Sequence, residues 1–467
     1  MTTIESLALR CVFPGFEGTR APEWVRRRAA QGVGGVVIFA RNVETRPQLA
    51  SLTAELHAAR PQLLVAIDEE GGDVTRLEAR TGSSYPGNLA LGFVDDAALT
   101  REVASAIGGE LREAGVDLNL APVADVNSNP MNPVIGVRSF GGDASAVARH
   151  TAAWVEGMQC AGVAACAKHF PGHGDTSVDS HLALPVVGED PHVRSLAPFV
   201  SAISAGVHAI MSAHIAVPAI DHSPATISHR IMTGLLREEL GFEGLAITDG
   251  LDMHAVSHGL GVAEGAVQAL IAGCDALCTG GGLADEDVVE EIVRSVAAAV
   301  EQGRLREERL REAASRVDGL AAWRSGRLDS VQARRAVGLI AARRAICSEG
   351  AVRIGSDAVV MRFDSPPSIA AGEIPWGMAE ALSARGVRVV EHEGEAAARS
   401  VVLVVRELQR LPAQRAEVEA ALARHPDAVL VDMGVPAYRP AGARAYLATH
   451  GSARVCAEAA AERMTPG

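Results

Sequence analysis

Short apolar runs recur along the first two thirds of the chain, most of them followed by turn residues and then by a helical pattern. They fall at residues 7–13, 35–39, 63–67, 116–120, 163–167, 209–211, 245–247 and 276–278. Most are apolar at every position rather than at alternate ones, the pattern of parallel strands covered on both faces. Residues 7–13, interrupted by Arg10, and residues 116–120, which alternate, fit it least well. Amphipathic stretches such as 99–114 and 285–301 lie between runs and predict helices. Eight strands alternating with helices over residues 1–323 predict a (β/α)8, TIM-like barrel. An open doubly wound sheet is the alternative architecture.

A second alternation begins beyond Trp323. Residues 324–335, rich in arginine and serine, read as a connection. Runs at 358–361, 387–391, 401–405 and 428–431, with alanine-rich helices at 416–424 and 453–463, predict a smaller αβα sandwich domain over 336–467. The expected fold class is therefore α/β, a barrel followed by a sandwich.

The polar residues sharpen this picture. Asp68, Lys168, His169, His214 and Asp249 each stand at or just past the C-terminal end of a run. In a barrel those ends converge on one face, where active sites form. The densest polar stretch, residues 168–181, packs a lysine, three histidines and two aspartates behind the apolar run 163–167. Its glycines and proline force a loop, and so many polar groups at a strand end are costly to bury unpaired, so they line a site.

Composition narrows the function. With 467 residues, 48% of them hydrophobic, the chain has ample material for a large core. A net charge of −14 argues against nucleic acid or an anionic membrane as main partner. A small anionic substrate held by a local arginine stays compatible with it. The seven cysteines sit mostly among apolar neighbours with no Cys-x-x-Cys pair, which predicts buried thiols rather than disulfides or zinc ligands. No basic, apolar leader opens the sequence and no apolar run reaches eighteen residues, so a cytoplasmic protein with no membrane span is expected.

Four motifs carry the chemistry. Asp249 follows Ala246-Ile247-Thr248 and precedes Gly250, so a short strand delivers its carboxylate to the barrel mouth. There it can attack an anomeric carbon, bind a metal or act as a base. A helix N-cap is the plainer role, and Asp252 suits that better. In Asp179-Ser180-His181 an extended loop puts both side chains on one side, so the carboxylate can orient the imidazole and raise its basicity for proton transfer. The segments 67–76 and 133–142 add Asp68, Arg76 and Arg138 among turn-forming glycines. Carboxylates and arginine forks grip vicinal hydroxyls, and together with Lys168 and His169 these residues suit a sugar clamp.

Taken together, segments 67–76, 125–142, 168–185, 224–228 and 247–253 resemble glycoside hydrolase family 3, in its β-N-acetylglucosaminidase branch. The resemblance covers most of the first 320 residues in the expected order, and the later part resembles the sandwich of two-domain members more weakly. It implies a retaining mechanism in which Asp249 forms a covalent glycosyl-enzyme. His181, partnered by Asp179, would be the acid/base, in place of the usual second carboxylate. It also implies that Asp68, Arg76, Arg138, Lys168 and His169 bind a terminal N-acetylglucosamine, in substrates such as cell-wall muropeptide fragments and in peptidoglycan recycling. No metal or organic cofactor is implied. A phosphorylase using the same residues is the nearest rival, because a neutral histidine repels incoming phosphate less than a carboxylate would. A metal-dependent hydrolase with His169, His173, His181, His214 and Asp249 as ligands is a rival of another class, and a sugar-binding protein without activity is a third.

Overall fold

Successive residues of each apolar run go to opposite faces of its strand, and here both faces are buried. In Val36-Val37-Ile38, Val37 joins an inner cluster with Leu64, Leu118, Cys166, Met211 and Ile247. Val36 and Ile38 pack instead into the larger layer shared with the helices. This two-sided burial is why the runs do not alternate.

The computed structural model describes residues 3–178, 184–253, 260–282, 285–325, 336–366, 368–390 and 399–466. Its first strands are β1 (Val12–Pro14), β2 (Gly35–Ile38), β3 (Leu64–Ile67), β4 (Leu118–Asn119), β5 (Ala164–Phe170) and β6 (Ala209–Ser212). A small antiparallel hairpin, β7 (Ala216–Val217) with β8 (Asp221–Pro224), precedes β9 (Leu245–Thr248) and β10 (Leu277–Thr279). β2-β3-β4-β5-β6-β9 form one parallel sheet in chain order. Ile247 bridges to Ala276, and β10 pairs in parallel with β1, so the ring is carried onward. β1 then lies against β2, because a Cβ at Gly35 would stand 2.2 Å from the Phe13 ring and glycine removes it. The outcome is a TIM-like barrel of eight parallel strands. Helix Glu307–Ser325 places Val317, Leu320 and Ala321 in the inner cluster, and Trp323 meets His208 at the start of β6, closing the end of the barrel away from the site.

One strand expectation needs correction. Residues 7–13 are not a single strand: Ile4–Arg10 is a helix capped by Thr3, whose hydroxyl accepts the Ser6 N–H, and the strand begins at Val12. Glu5 in the first turn and Arg10 in the last suit the helix dipole, and the helix still buries Leu7, Ala8 and Leu9 of the run.

The second sheet contains β11 (Cys347–Glu349), β12 (Asp357–Arg362), β13 (Arg388–Val390), β14 (Ser400–Val405), β15 (Val429–Asp432) and β16 (Ala445–Ala448). Its order is β11-β16-β15-β14-β12-β13, parallel except for β11. Val402, Val404 and Val431 pack with Ala460 and Met464 of helix Arg454–Met464 on one face. Leu403, Val405 and Leu430 pack with Val418 and Leu422 of helix Pro412–Arg424 on the other. This is the αβα sandwich. Helix Ala336–Ala345 serves both bodies, with Val337 and Ala341 in the barrel core and Ala342 against Val455 and Cys456. Five of the seven cysteines are buried, while Cys347 is half-buried and Cys160 exposed. No helix among the described residues is long and apolar enough to cross a membrane.

Candidate active site

A cavity of about 640 Å³ opens at the C-terminal ends of the barrel strands. Asp68, Arg76, Arg138, Lys168, His169 and Asp249 all line it. Asp179 and His181 lie outside the described residues.

The charged part of the site is built on three strands. β3 ends at Ile67 and delivers Asp68 and, two residues on, Glu70. β5 carries Lys168 and His169, and its ladder with β6 shifts register between Ala167 and Phe170, so both side chains reach the cavity. Arg138 comes from the loop beyond β4. The Lys168 Nζ donates to Asp68 Oδ1 at 2.6 Å and lies 2.8 Å from Glu70 Oε1. Arg138 forks onto Glu70, from Nη2 to Oε1 at 2.7 Å and from Nε to Oε2 at 2.9 Å. Arg76 stands further off, with Nη2 3.9 Å from Asp68 Oδ2.

Glu70, Lys168 and Arg138 are all buried. Burial opposes the ionisation of Glu70, yet the charges of Arg138 and Lys168 outweigh it and hold the carboxyl well below the usual range. The same pairing, against burial, raises Arg138 through Glu70 and Lys168 through Asp68 and Glu70. All three therefore stay charged, and Asp68, less buried than they are, presents its carboxylate to the cavity.

His169 is oriented from behind. Its Nδ1 donates to Asp125 Oδ2 at 2.7 Å, while Asp125 Oδ1 accepts the backbone N–H groups of His169 (3.2 Å) and His173 (2.7 Å). This points the Nε2 side of His169 away from Asp125. His173 is buried, pairs through Nδ1 with Thr176 Oγ1 at 2.7 Å, and burial lowers its pKa to about 4. It is neutral at working pH. Behind Asp68, Glu69 accepts the N–H groups of Arg76 (2.8 Å) and Leu77 (2.9 Å), and burial pushes its carboxyl up to about 7.

Asp249 is half-buried just beyond β9, and its Oδ1 accepts the Gly250 N–H at 2.8 Å. His214, fully buried, donates from Nε2 to the Gly250 carbonyl at 2.9 Å and meets Thr226 Oγ1 at 2.7 Å through Nδ1. Thr226 also contacts Ser212 Oγ at 2.9 Å. The Pro224-Ala225-Thr226-Ile227-Ser228 segment thus buttresses the Asp249 turn from below rather than facing the cavity. Both nitrogens of His214 are occupied by this network, which removes it from the metal-ligand set. Among the described residues no three His, Cys, Asp or Glu side chains stand together as metal ligands. Asp252 lines the same cavity and its Oδ2 accepts the Gly282 N–H, tying the loop after β9 to the loop after β10.

Glu70, Asp125 and residues 369–372 do not stand out individually in the sequence. Glu70 was within reach, since it shares a face of the extended chain with Asp68 at a spacing of two. Asp125 ends the apolar Leu120-Ala121-Pro122-Val123-Ala124 stretch much as Asp249 ends its own. Ile369, Ala370, Ala371 and Gly372 line the cavity from the second domain, and no local signal marks them.

The chain is similar to known proteins in sequence and in fold. A β-hexosaminidase A from Pseudoalteromonas piscicida is 39% identical over 328 residues, 64% of this chain and 55% of that one, so the match spans little more than half of the relative. A β-hexosaminidase from Nitrosomonas eutropha is 37% identical over 58% of this chain and 81% of its own. The solved structure of a glycoside hydrolase family 3 β-N-acetylglucosaminidase from Paenibacillus sp. superposes with a TM-score of 0.89 at 35% identity, covering 99% of this chain and 96% of that one. Residues 19–320 match the glycosyl hydrolase family 3 N-terminal domain, more than half of the chain, and the chain belongs to that family.

Proposed function

We propose that this protein is a retaining exo-β-N-acetylglucosaminidase. The observation that carries the reading is the convergence of Asp249 with the Asp68–Lys168–Glu70–Arg138 cluster in one cavity at the barrel mouth. A fixed set of charged donors and acceptors suits a polyhydroxylated ring, and the strand-end carboxylate of Asp249 suits attack on it. The name β-hexosaminidase of the relatives supports a hexosamine, and the name of the Paenibacillus structure supports N-acetylglucosamine.

In this reading the Asp249 carboxylate attacks C1 of the bound sugar as the bond from C1 to the leaving oxygen breaks. His181, with Asp179 beside it in sequence, gives its proton to that oxygen. Water then attacks C1 of the Asp249 ester, passes a proton to His181 and frees the aspartate. Asp68, Lys168, Arg138, Arg76 and His169 hold the terminal N-acetylglucosamine, and no metal or organic cofactor takes part. The proposed substrates are cell-wall muropeptide fragments with this sugar at the non-reducing end, and the proposed setting is cytoplasmic peptidoglycan recycling.

The test is product analysis with aryl β-N-acetylglucosaminide and aryl β-glucoside, each with and without phosphate. Release of free N-acetylglucosamine, first as the β-anomer and independent of phosphate, is expected. A sugar phosphate, an initial α-anomer, or a preference for the glucoside would each overturn a stated part of the reading.

A further inference from the structure

In the second sheet, chain order changes direction between β12 and β14, which are neighbours although β13 intervenes in sequence. In open parallel sheets the crevice beyond the C-terminal ends at such a point is where ligands bind. Here that edge is turned onto the barrel. A narrow cavity between the two bodies is walled by Ser368 beyond β12, Arg406 and Glu407 beyond β14, and Gly434 beyond β15. From the barrel side it is walled by the loop 132–138, which ends in Arg138.

The loop that bears Asp68 and Arg76 is gripped by the same edge. Asp73, at its tip, accepts the Ser452 N–H on Oδ1 at 2.8 Å and the Ser452 hydroxyl on Oδ2 at 2.7 Å, just beyond β16. Arg76 donates from Nη2 to the Ala370 carbonyl at 2.8 Å. The tip turns through Gly71 and Gly72 at positive φ, and a Cβ on Gly72 would stand 2.5 Å from Gly87, so the turn is fixed on its inner side as well.

From this geometry we infer that the second domain is a positioning body for the sugar clamp, with Asp73 and Ser452 as its principal positioning residues. The inference rests on the proposed glycosidase reading. The edge loops of this domain hold the barrel loop that carries Asp68 and Arg76, through Asp73 and the Ala370 carbonyl, and face the loop that carries Arg138 across the narrow cavity, while Asp73 itself does not line the catalytic cavity.

The full-length chain is tested as Asp73→Ala, Asp73→Asn and Ser452→Ala. A merely structural grip lowers the folded fraction, and so kcat, while KM and the inhibition constant for N-acetylglucosamine stay as they are. Positioning raises both constants. Asp73→Ala is expected to raise KM and that inhibition constant about tenfold, as loss of an ordered charged contact would. Asp73→Asn, which keeps one acceptor for the Ser452 N–H, should recover part of the loss, and Ser452→Ala should be the mildest. Amide hydrogen exchange should quicken in residues 68–76 of Asp73→Ala without any substrate present. Unchanged KM and inhibition constants in soluble Asp73→Ala overturn the inference, whether or not exchange quickens. If Asp73→Ala does not fold, unchanged constants in Ser452→Ala overturn it. Failure of the wild type to cleave any β-N-acetylglucosaminide is a separate result, which sinks the glycosidase reading instead.

Discussion

Neutralising Glu70 should damage the site more than any exposed charge change, and the geometry says why. Its Oε1 takes both Arg138 Nη2 at 2.7 Å and Lys168 Nζ at 2.8 Å, and Oε2 takes Arg138 Nε at 2.9 Å. In Glu70→Gln one of these oxygens becomes an amide NH2 whichever way the amide turns. A donor then faces a donor, so the buried Arg138 loses the intact carboxylate it forks onto, while Lys168 keeps its ion pair with Asp68. Removing one partner of a buried ion pair costs about 3–5 kcal/mol. The loss should appear in urea denaturation as a lower midpoint at unchanged slope. Because the folded carboxyl is held below its ordinary value, its contribution is fully present above about pH 4.5 and fades as the pH falls below that. The gap between wild type and variant should therefore be constant from pH 5 to 8 and narrow in acid. The kcat/KM for an aryl N-acetylglucosaminide should fall as well, since Arg138 and Lys168 lose their common anchor. A variant within 1 kcal/mol of wild type at pH 7, with normal kinetics, would refute this account of the cluster.

Other expectations follow from single contacts. His181→Ala should slow cleavage of natural glycosides by about 10²–10⁴ but barely affect the first step on a nitrophenyl substrate, whose leaving group needs no proton. Asp179→Ala should do the same more mildly; equal losses on both substrates would make His181 a binding or structural residue. Thr226→Val removes the hydroxyl that meets Ser212 and His214, and should cost about 1–3 kcal/mol of stability and lower kcat through the loosened Asp249 turn. Wild-type kcat in that variant would show the buttress to be dispensable. His173, buried and neutral down to about pH 4, supports folding fully above pH 6.5 and less as the unfolded chain takes up its proton below that. From pH 7 to 4 the advantage of wild type over His173→Gln should shrink by about 3 kcal/mol in denaturation midpoints, and a pH-independent gap would refute the buried neutral histidine.

The barrel was legible because its strands are buried on both faces and so appear as unbroken apolar runs. Residues 7–13 misled for the same reason, since an apolar helix face and an apolar strand look alike over seven positions. β11, Cys347-Ser348-Glu349, has no apolar run, and β16, Ala445-Tyr446-Leu447-Ala448, is apolar throughout but is not among the expected strands. In the site, Asp249 and Lys168 were legible as polar residues ending apolar strands. Glu70 shares a face with Asp68 at a spacing of two, but the partner that defines its role, Arg138, lies 68 residues away. His214 was read as a possible site residue from its strand-end position, whereas its ring is spent on Thr226 and Gly250. The contribution of Ala370 is a backbone carbonyl, to which sequence is blind.

The central claim is that Asp249 becomes covalently glycosylated. A 5-fluoro N-acetylglucosaminyl fluoride should inactivate the enzyme with time and add one glycosyl residue to its mass. Peptide mapping of the trapped protein should place that sugar on Asp249, and Asp249→Asn should neither turn over substrate nor take up the label. A label on any other residue, or near-wild-type turnover by Asp249→Asn, would contradict the account.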